Sequence, residues 1–261
     1  MNRNTLLAIC LISMLGACAP AIASSQSGGQ SQAEARKENI EERARIHTEL
    51  GAGYFSRGQY EIAMQELREA LKANDNYAPA YDVLALVYME LNEDKLAENN
   101  FLHALDLSPQ DPDIHNNYGW FLCSRNRFDD SIKQFDLALS NPLYNKPESA
   151  LTNAGICSLK ANKTKSAQTY FEAALKFSPN EGQALTGLAQ IYYREDRLAE
   201  ARTLIGRMLE YNPPTAEAVW LGLRIAHRQK DHDTEASYGL LLRNRFPDAP
   251  ETQLLLQGKY D

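Results

Sequence analysis

Side chains able to do covalent or metal chemistry are few in this sequence and poorly placed for it. The histidines are His47, His103, His115, His227 and His232. Only His227 and His232 are close, and a spacing of five rotates them off a common helix face, where a metal-binding pair is spaced by four. They read as exposed polar residues. Ser124 follows His115 without any nucleophile motif around it. Gly51-Ala52-Gly53 resembles part of a phosphate loop, but no strand precedes it and it falls inside a helical pattern. Glu38, Glu41 and Glu42 are most simply a solvated helix face. The expectation is therefore a protein that is not an enzyme, with no catalytic residues, metal, cofactor or small-molecule substrate.

The cysteines say more. Arg3 supplies a positive start and Thr5 to Leu15 a short apolar run, the pattern of a secretory signal. It ends in Leu15-Gly16-Ala17-Cys18, which looks like a bacterial lipobox: a branched residue, two small ones, then the cysteine that becomes the lipidated mature N-terminus. The alternative is an ordinary cleavable signal cut near Ala17, Ala19 or Ala23. In lipoproteins an aspartate after the cysteine is associated with inner-membrane retention, so Ala19 implies the outer membrane, with the protein facing the periplasm. Each buried acyl CH₂ contributes about 0.8 kcal/mol, so several chains on Cys18 give a nearly permanent anchor. Residues 1–17 are thus expected to be signal peptide. Residues 18–33, rich in Ser, Gln, Ala and Gly, are expected to be a flexible tether.

Beyond the tether the chain repeats itself. In Ala78 to Asp111, apolar residues recur at helical spacing twice: Tyr81, Leu84, Ala85 and Tyr88, then Ala97, Phe101, Ala104 and Leu105. Asn92 to Asp94 separate the two runs, and Ser108-Pro109 stops the second, because proline has no N–H to continue a helix. A helix–turn–helix unit of 34 residues with this pattern matches a tetratricopeptide (TPR) repeat. The small residue at Ala97 recurs as Ala63, Ser131, Ala167, Ala201 and Ala236, and the bulky Phe101 as Leu67, Phe135, Phe171, Ile205 and Leu240. The chain therefore predicts an all-α, right-handed superhelical solenoid of six repeats within residues 34–250, at 44–77, 78–111, 112–145, 148–181, 182–215 and a degenerate 217–250. Residues 251–261 are read as a capping tail.

Net charge is −7, or −8 once Arg3 leaves with the signal, which argues against nucleic acid or an anionic membrane surface as a direct ligand. Membrane contact is expected through the N-terminal lipid alone. With Cys10 removed and Cys18 acylated, Cys123 and Cys157 remain in an oxidising compartment. They fall at positions twelve and ten of adjacent first helices, about 200° apart in helical rotation, so one can face forward while the other faces back. A disulfide is expected, against the alternative of two small buried thiols.

The lipobox, the six repeats, and the strings Asn116-Asn117-Tyr118-Gly119-Trp120-Phe121-Leu122 and Asn141-Pro142-Leu143-Tyr144 together resemble the PilW/PilF family of type IV pilus biogenesis lipoproteins. The resemblance covers essentially the whole mature chain. It implies a pilotin-like role through protein–protein contacts, assisting outer-membrane assembly or stability of the pilus secretin, with the secretin or other pilus assembly proteins as partners. A general periplasmic TPR adaptor for envelope or peptidoglycan machinery is the alternative that the same anchor and repeats would serve.

In the TPR fold, positions two, five, nine and twelve of each first helix point into the groove. Mapped here, these give candidate groove residues Phe55, Asp82, Leu86, Met89, Asn116, Trp120, Thr152, Ile156, Gln190 and Tyr193. Trp120 is the expected hot spot, since Trp is enriched in binding centres; the competing expectation is that it packs internally against Ile156. Asn116 is expected to hydrogen-bond the backbone of an extended peptide. The groove lacks the lysines and arginines of a carboxylate clamp.

Overall fold

The computed structural model describes residues 25–260, with side chains from Glu34 onward. The expected signal peptide, residues 1–17, and Cys18 lie outside the described residues. Within them the chain is thirteen helices and no strand: α1 Ser25–Phe55, α2 Tyr60–Ala73, α3 Ala78–Glu90, α4 Asp94–Leu107, α5 Pro112–Ser124, α6 Phe128–Ser140, α7 Pro147–Lys160, α8 Thr164–Phe177, α9 Gly182–Arg194, α10 Leu198–Tyr211, α11 Ala216–Gln229, α12 His232–Arg245 and α13 Pro250–Leu256.

Consecutive helices pair as α1–α2, α3–α4, α5–α6, α7–α8, α9–α10 and α11–α12. Each pair turns through one residue in the left-handed region: Gly58, Asn92, Asn126, Asn162, Asp196 and Lys230. Gly, Asn and Asp tolerate that conformation; Lys230 does not share their advantage.

Packing inside a pair depends on a size match. The second helix brings one bulky side chain, fully buried Leu67, Phe101, Phe135, Phe171 or Ile205, against a small residue of the first. A Cβ added at Gly119 would lie 2.8 Å from Phe135 Cε1, and one at Gly155 2.5 Å from Phe171 Cε1. No side chain fits there, so these glycines set how closely the helices approach. The small residues Ala63, Ala97, Ser131, Ala167 and Ala201 are all completely buried beside the plugs. Ser131 satisfies its hydroxyl by donating to Gly119 O at 2.7 Å.

Two expectations change. In α12 the plug is Tyr238, whose ring is 2.9 Å from a Cβ placed on Gly222. The expected Leu240 is 55% exposed and Ala236 is exposed as well. The turn is as long as in the other pairs, so the position nine residues after the left-handed residue, Ile205 in α10, falls in α12 on buried Gly239. Ala236 and Leu240 lie one residue, about 100°, past the buried positions, and Tyr238 packs on Gly222 from the residue before. At the other end, helix α1 runs back to Ser25, into the stretch expected to be a tether through residue 33. No proline lies between Pro20 and Pro79, and extending an existing helix adds one hydrogen bond per residue fixed.

The last pair has no following repeat. Instead Leu254, Leu255 and Tyr260 pack on Val219, Trp220, Leu223 and Leu242. Tyr260 stacks on His227 at 4.2 Å, and Arg224 Nε donates to its carbonyl at 2.7 Å. Seven helical residues and a tail thus cover the apolar face that another first helix would cover.

Candidate functional site

The backbones of odd-numbered helices come close in sequence, α1 to α3, α3 to α5, α5 to α7, α7 to α9 and α9 to α11. Those of successive second helices stay further apart, α8 reaching α6 through the Tyr170 hydroxyl, which donates to Asp136 Oδ1 at 3.1 Å. The first helices therefore form the tighter, concave wall. Its residues decide what the groove can hold.

Part of that wall is sewn together by side-chain amides. Asn117 Nδ2 on α5 donates to Asp82 Oδ2 on α3 at 2.8 Å, and Asn153 Nδ2 on α7 donates to Asn116 Oδ1 on α5 at 3.0 Å. The same two helical positions supply both rungs. The next rung would join α9 to Thr152, but Gly187 stands where Asn117 and Asn153 stand in their helices, and Thr152 Oγ1 is buried without a partner. At the other end Asp82 Oδ1 is also buried and unpartnered. Burial drives the Asp82 carboxyl up to about 7; the Asn117 hydrogen bond opposes this, and Asp111 and Asp113 add to it.

Beyond the last rung the groove opens into a cavity of about 670 Å³. Trp120, Ile156 and Gln190, one from each of α5, α7 and α9 at the same helical position, line it in a row. Phe171 and Met208 form its apolar floor, and Gln183, Thr186 and Asn212 contribute polar groups. An apolar pocket with a few polar groups suits a bulky side chain of an extended segment, and the glutamine amides can both donate to and accept from its backbone.

The sequence-predicted groove residues divide. Trp120, Ile156 and Gln190 come together in the cavity, while Phe55 and Leu86 lie elsewhere on the wall, partly exposed. Asp82, Met89, Asn116, Thr152 and Tyr193 are buried. Asn116 is occupied by Asn153 and has little surface to offer a peptide backbone. Tyr193 lies under the guanidinium groups of Arg224 and Arg228, 4.6 and 5.0 Å from its ring centre. Trp120 packs beside Cys123, Phe135, Ala154 and Cys157 and also lines the cavity together with Ile156, with Lys160 Nζ 5.3 Å above its ring. The floor is not legible in the sequence, because Phe171 reads as the bulky packing residue of its repeat and Met208 lies on a second helix, outside the groove-facing positions of the first helices. Cys123 and Cys157 are buried side by side on α5 and α7, their Cα atoms 5.7 Å apart, inside the range of about 4.4–6.8 Å that a disulfide requires.

The two strings singled out in the sequence have structural meanings. In the first, Asn116 and Asn117 are the rungs, Gly119 receives Phe135, and Trp120 reaches the cavity. In the second, Leu143 N donates to Asn141 Oδ1 at 2.9 Å and Tyr144 is buried beside Ala138 and Ala150, which fixes the longer connection before α7.

Comparison with known proteins agrees with this architecture. Residues 78–111, 100–133 and 158–224 match tetratricopeptide repeat families. The type IV pilus assembly protein PilF of Pseudomonas aeruginosa is 32% identical over 227 residues, 87% of this chain and 90% of its own. The chain belongs to this family. A solved structure of Pseudomonas aeruginosa PilF superposes with a TM-score of 0.75 at 31% identity, covering 85% of this chain and all of that one. The crystal structure of PilW, a type IV pilus biogenesis factor, gives 0.71 at 31% identity over 82% of this chain and 98% of its own. This chain is accordingly a TPR protein of type IV pilus biogenesis.

Proposed function

We propose that this protein is an outer-membrane lipoprotein, anchored through Cys18, that assists assembly or stability of the pilus secretin by holding an extended segment of a pilus assembly protein in its concave groove. It works as a scaffold and catalyses no reaction. The observation that supports groove binding is the row Trp120, Ile156 and Gln190 above an apolar floor. A disulfide between Cys123 and Cys157 would hold α5 to α7 directly behind Trp120 and keep that row in register.

The test uses a photo-crosslinking amino acid at Gln190 in the full-length protein, expressed in a deletion strain. Crosslinks to the secretin or another pilus assembly protein are expected. Trp120→Ala should reduce secretin multimers and surface pili while protein level and far-UV CD are retained. Intact secretin multimers in the deletion strain would favour a general periplasmic adaptor. Cys18→Ser should move the protein out of the outer-membrane fraction, and full retention there would overturn the anchor.

A further inference from the structure

The ladder on the groove wall has an end that nothing within the described chain explains. Asp82 is 7% exposed, one carboxylate oxygen is bound by Asn117, and the other has no partner. The charges acting on it are the carboxylates of Asp111 and Asp113. Asp113 has a distant partner, Lys146 at 3.7 Å, and among the described residues no cation reaches Asp82. A buried carboxylate normally has an ion pair or a full set of hydrogen bonds, because removing its charge from water is costly. An asparagine would make the same bond to Asn117 without that cost. The carboxylate thus offers the fold nothing that an amide would not; its free oxygen is covered in this structure, and the donor it lacks, best a cation, would reach it from the groove by a turn of the side chain.

The distance to the cavity fixes what else that partner carries. Asp82 is on α3, and the cavity is centred about two first helices further on, between α7 and its neighbours. Packed helices are about 8–10 Å apart and an extended chain rises about 3.3 Å per residue, so the interval is about five or six residues. We propose, resting on the groove reading above, that the partner segment carries a lysine or arginine paired with Asp82 and, about five or six residues away, a bulky apolar side chain seated between Trp120, Ile156 and Gln190.

Selection of a random twelve-residue phage-displayed peptide library on the full chain tests this without assuming which pilus protein is the partner. Enriched peptides should share a basic residue spaced about five or six positions from a large apolar one. Their affinity should fall about tenfold or more on Asp82→Asn and weaken with added salt. Asp82→Asn keeps an acceptor for Asn117, so its far-UV CD should match the wild type. Peptides with no basic preference, or ones indifferent to Asp82→Asn yet lost on Trp120→Ala, would overturn the charge selection and leave the groove reading standing. Peptides indifferent to both changes would overturn both readings. Self-association in sedimentation equilibrium that disappears with Asp82→Asn would identify a second copy as the occupant and overturn a foreign segment.

Discussion

Asp82→Asn also makes a sharp prediction about stability. The Asp82 carboxyl has an ordinary value of 3.8 and is lifted to about 7 by burial in the fold. Between those two pH values the folded chain holds a proton that the unfolded chain has released. Stability must therefore fall as pH rises through this window, and the loss is complete above about 7. At about 1.36 kcal/mol per pH unit, the interval corresponds to about 4 kcal/mol as an upper figure. At pH 4 a protonated aspartic acid and an asparagine are both neutral and both accept from Asn117, so the two proteins should be nearly equal in stability. At pH 8 the asparagine variant should be more stable by as much as about 4 kcal/mol. Urea unfolding of both proteins at intervals from pH 4 to 8 measures this difference and cancels the titration of every other carboxylate. Parallel curves, separated by less than about 1 kcal/mol throughout, would refute the reasoning, as would an asparagine variant less stable at pH 8.

Other consequences can be checked on the same protein. Reduction of a Cys123–Cys157 bond, or Cys157→Ser, reopens a loop of 34 residues and should cost about 4 kcal/mol in the chain-entropy description; mass spectrometry showing two free thiols in the oxidised protein would remove the basis of the expectation. Tyr238→Ala should destabilise by about 2–4 kcal/mol as the loss of a packed aromatic, while Leu240→Ala stays within about 0.5 kcal/mol; the reverse ranking in urea unfolding would return the register to the sequence-based one. Lys230→Gly should raise stability by about 1 kcal/mol by relieving a left-handed lysine, and an unchanged midpoint would argue that the lysine side chain compensates.

The sequence by itself determined the repeating unit. Helical spacing is a local property, and a plug such as Phe101 with Ala97 and Ala104 on either side is readable within one helix. The turn residues add to this, since Asn92, Asn126 and Asn162 are of the type that accepts a left-handed backbone. Local reading failed where two alternatives looked alike. Ala236 and Leu240 mimic the small and bulky pattern, but the turn shared with the other pairs puts the plug position on Gly239, and only the packed structure shows Tyr238 meeting Gly222 in its stead.

The tertiary structure decided everything that depends on one repeat meeting the next. Trp120, Ile156 and Gln190 are 36 and 34 residues apart, and nothing in a single helix shows that they share a wall. Whether a wall position is open or filled is settled by its neighbours: Asn153 occupies Asn116, and two arginines cover Tyr193, whereas Gly187 supplies no rung and leaves Thr152 unpaired. Periodicity fixes the direction in which a side chain points. How far it reaches solvent depends on the volume and polarity of what the next helix brings against it, a quantity that exists only after the helices have stacked.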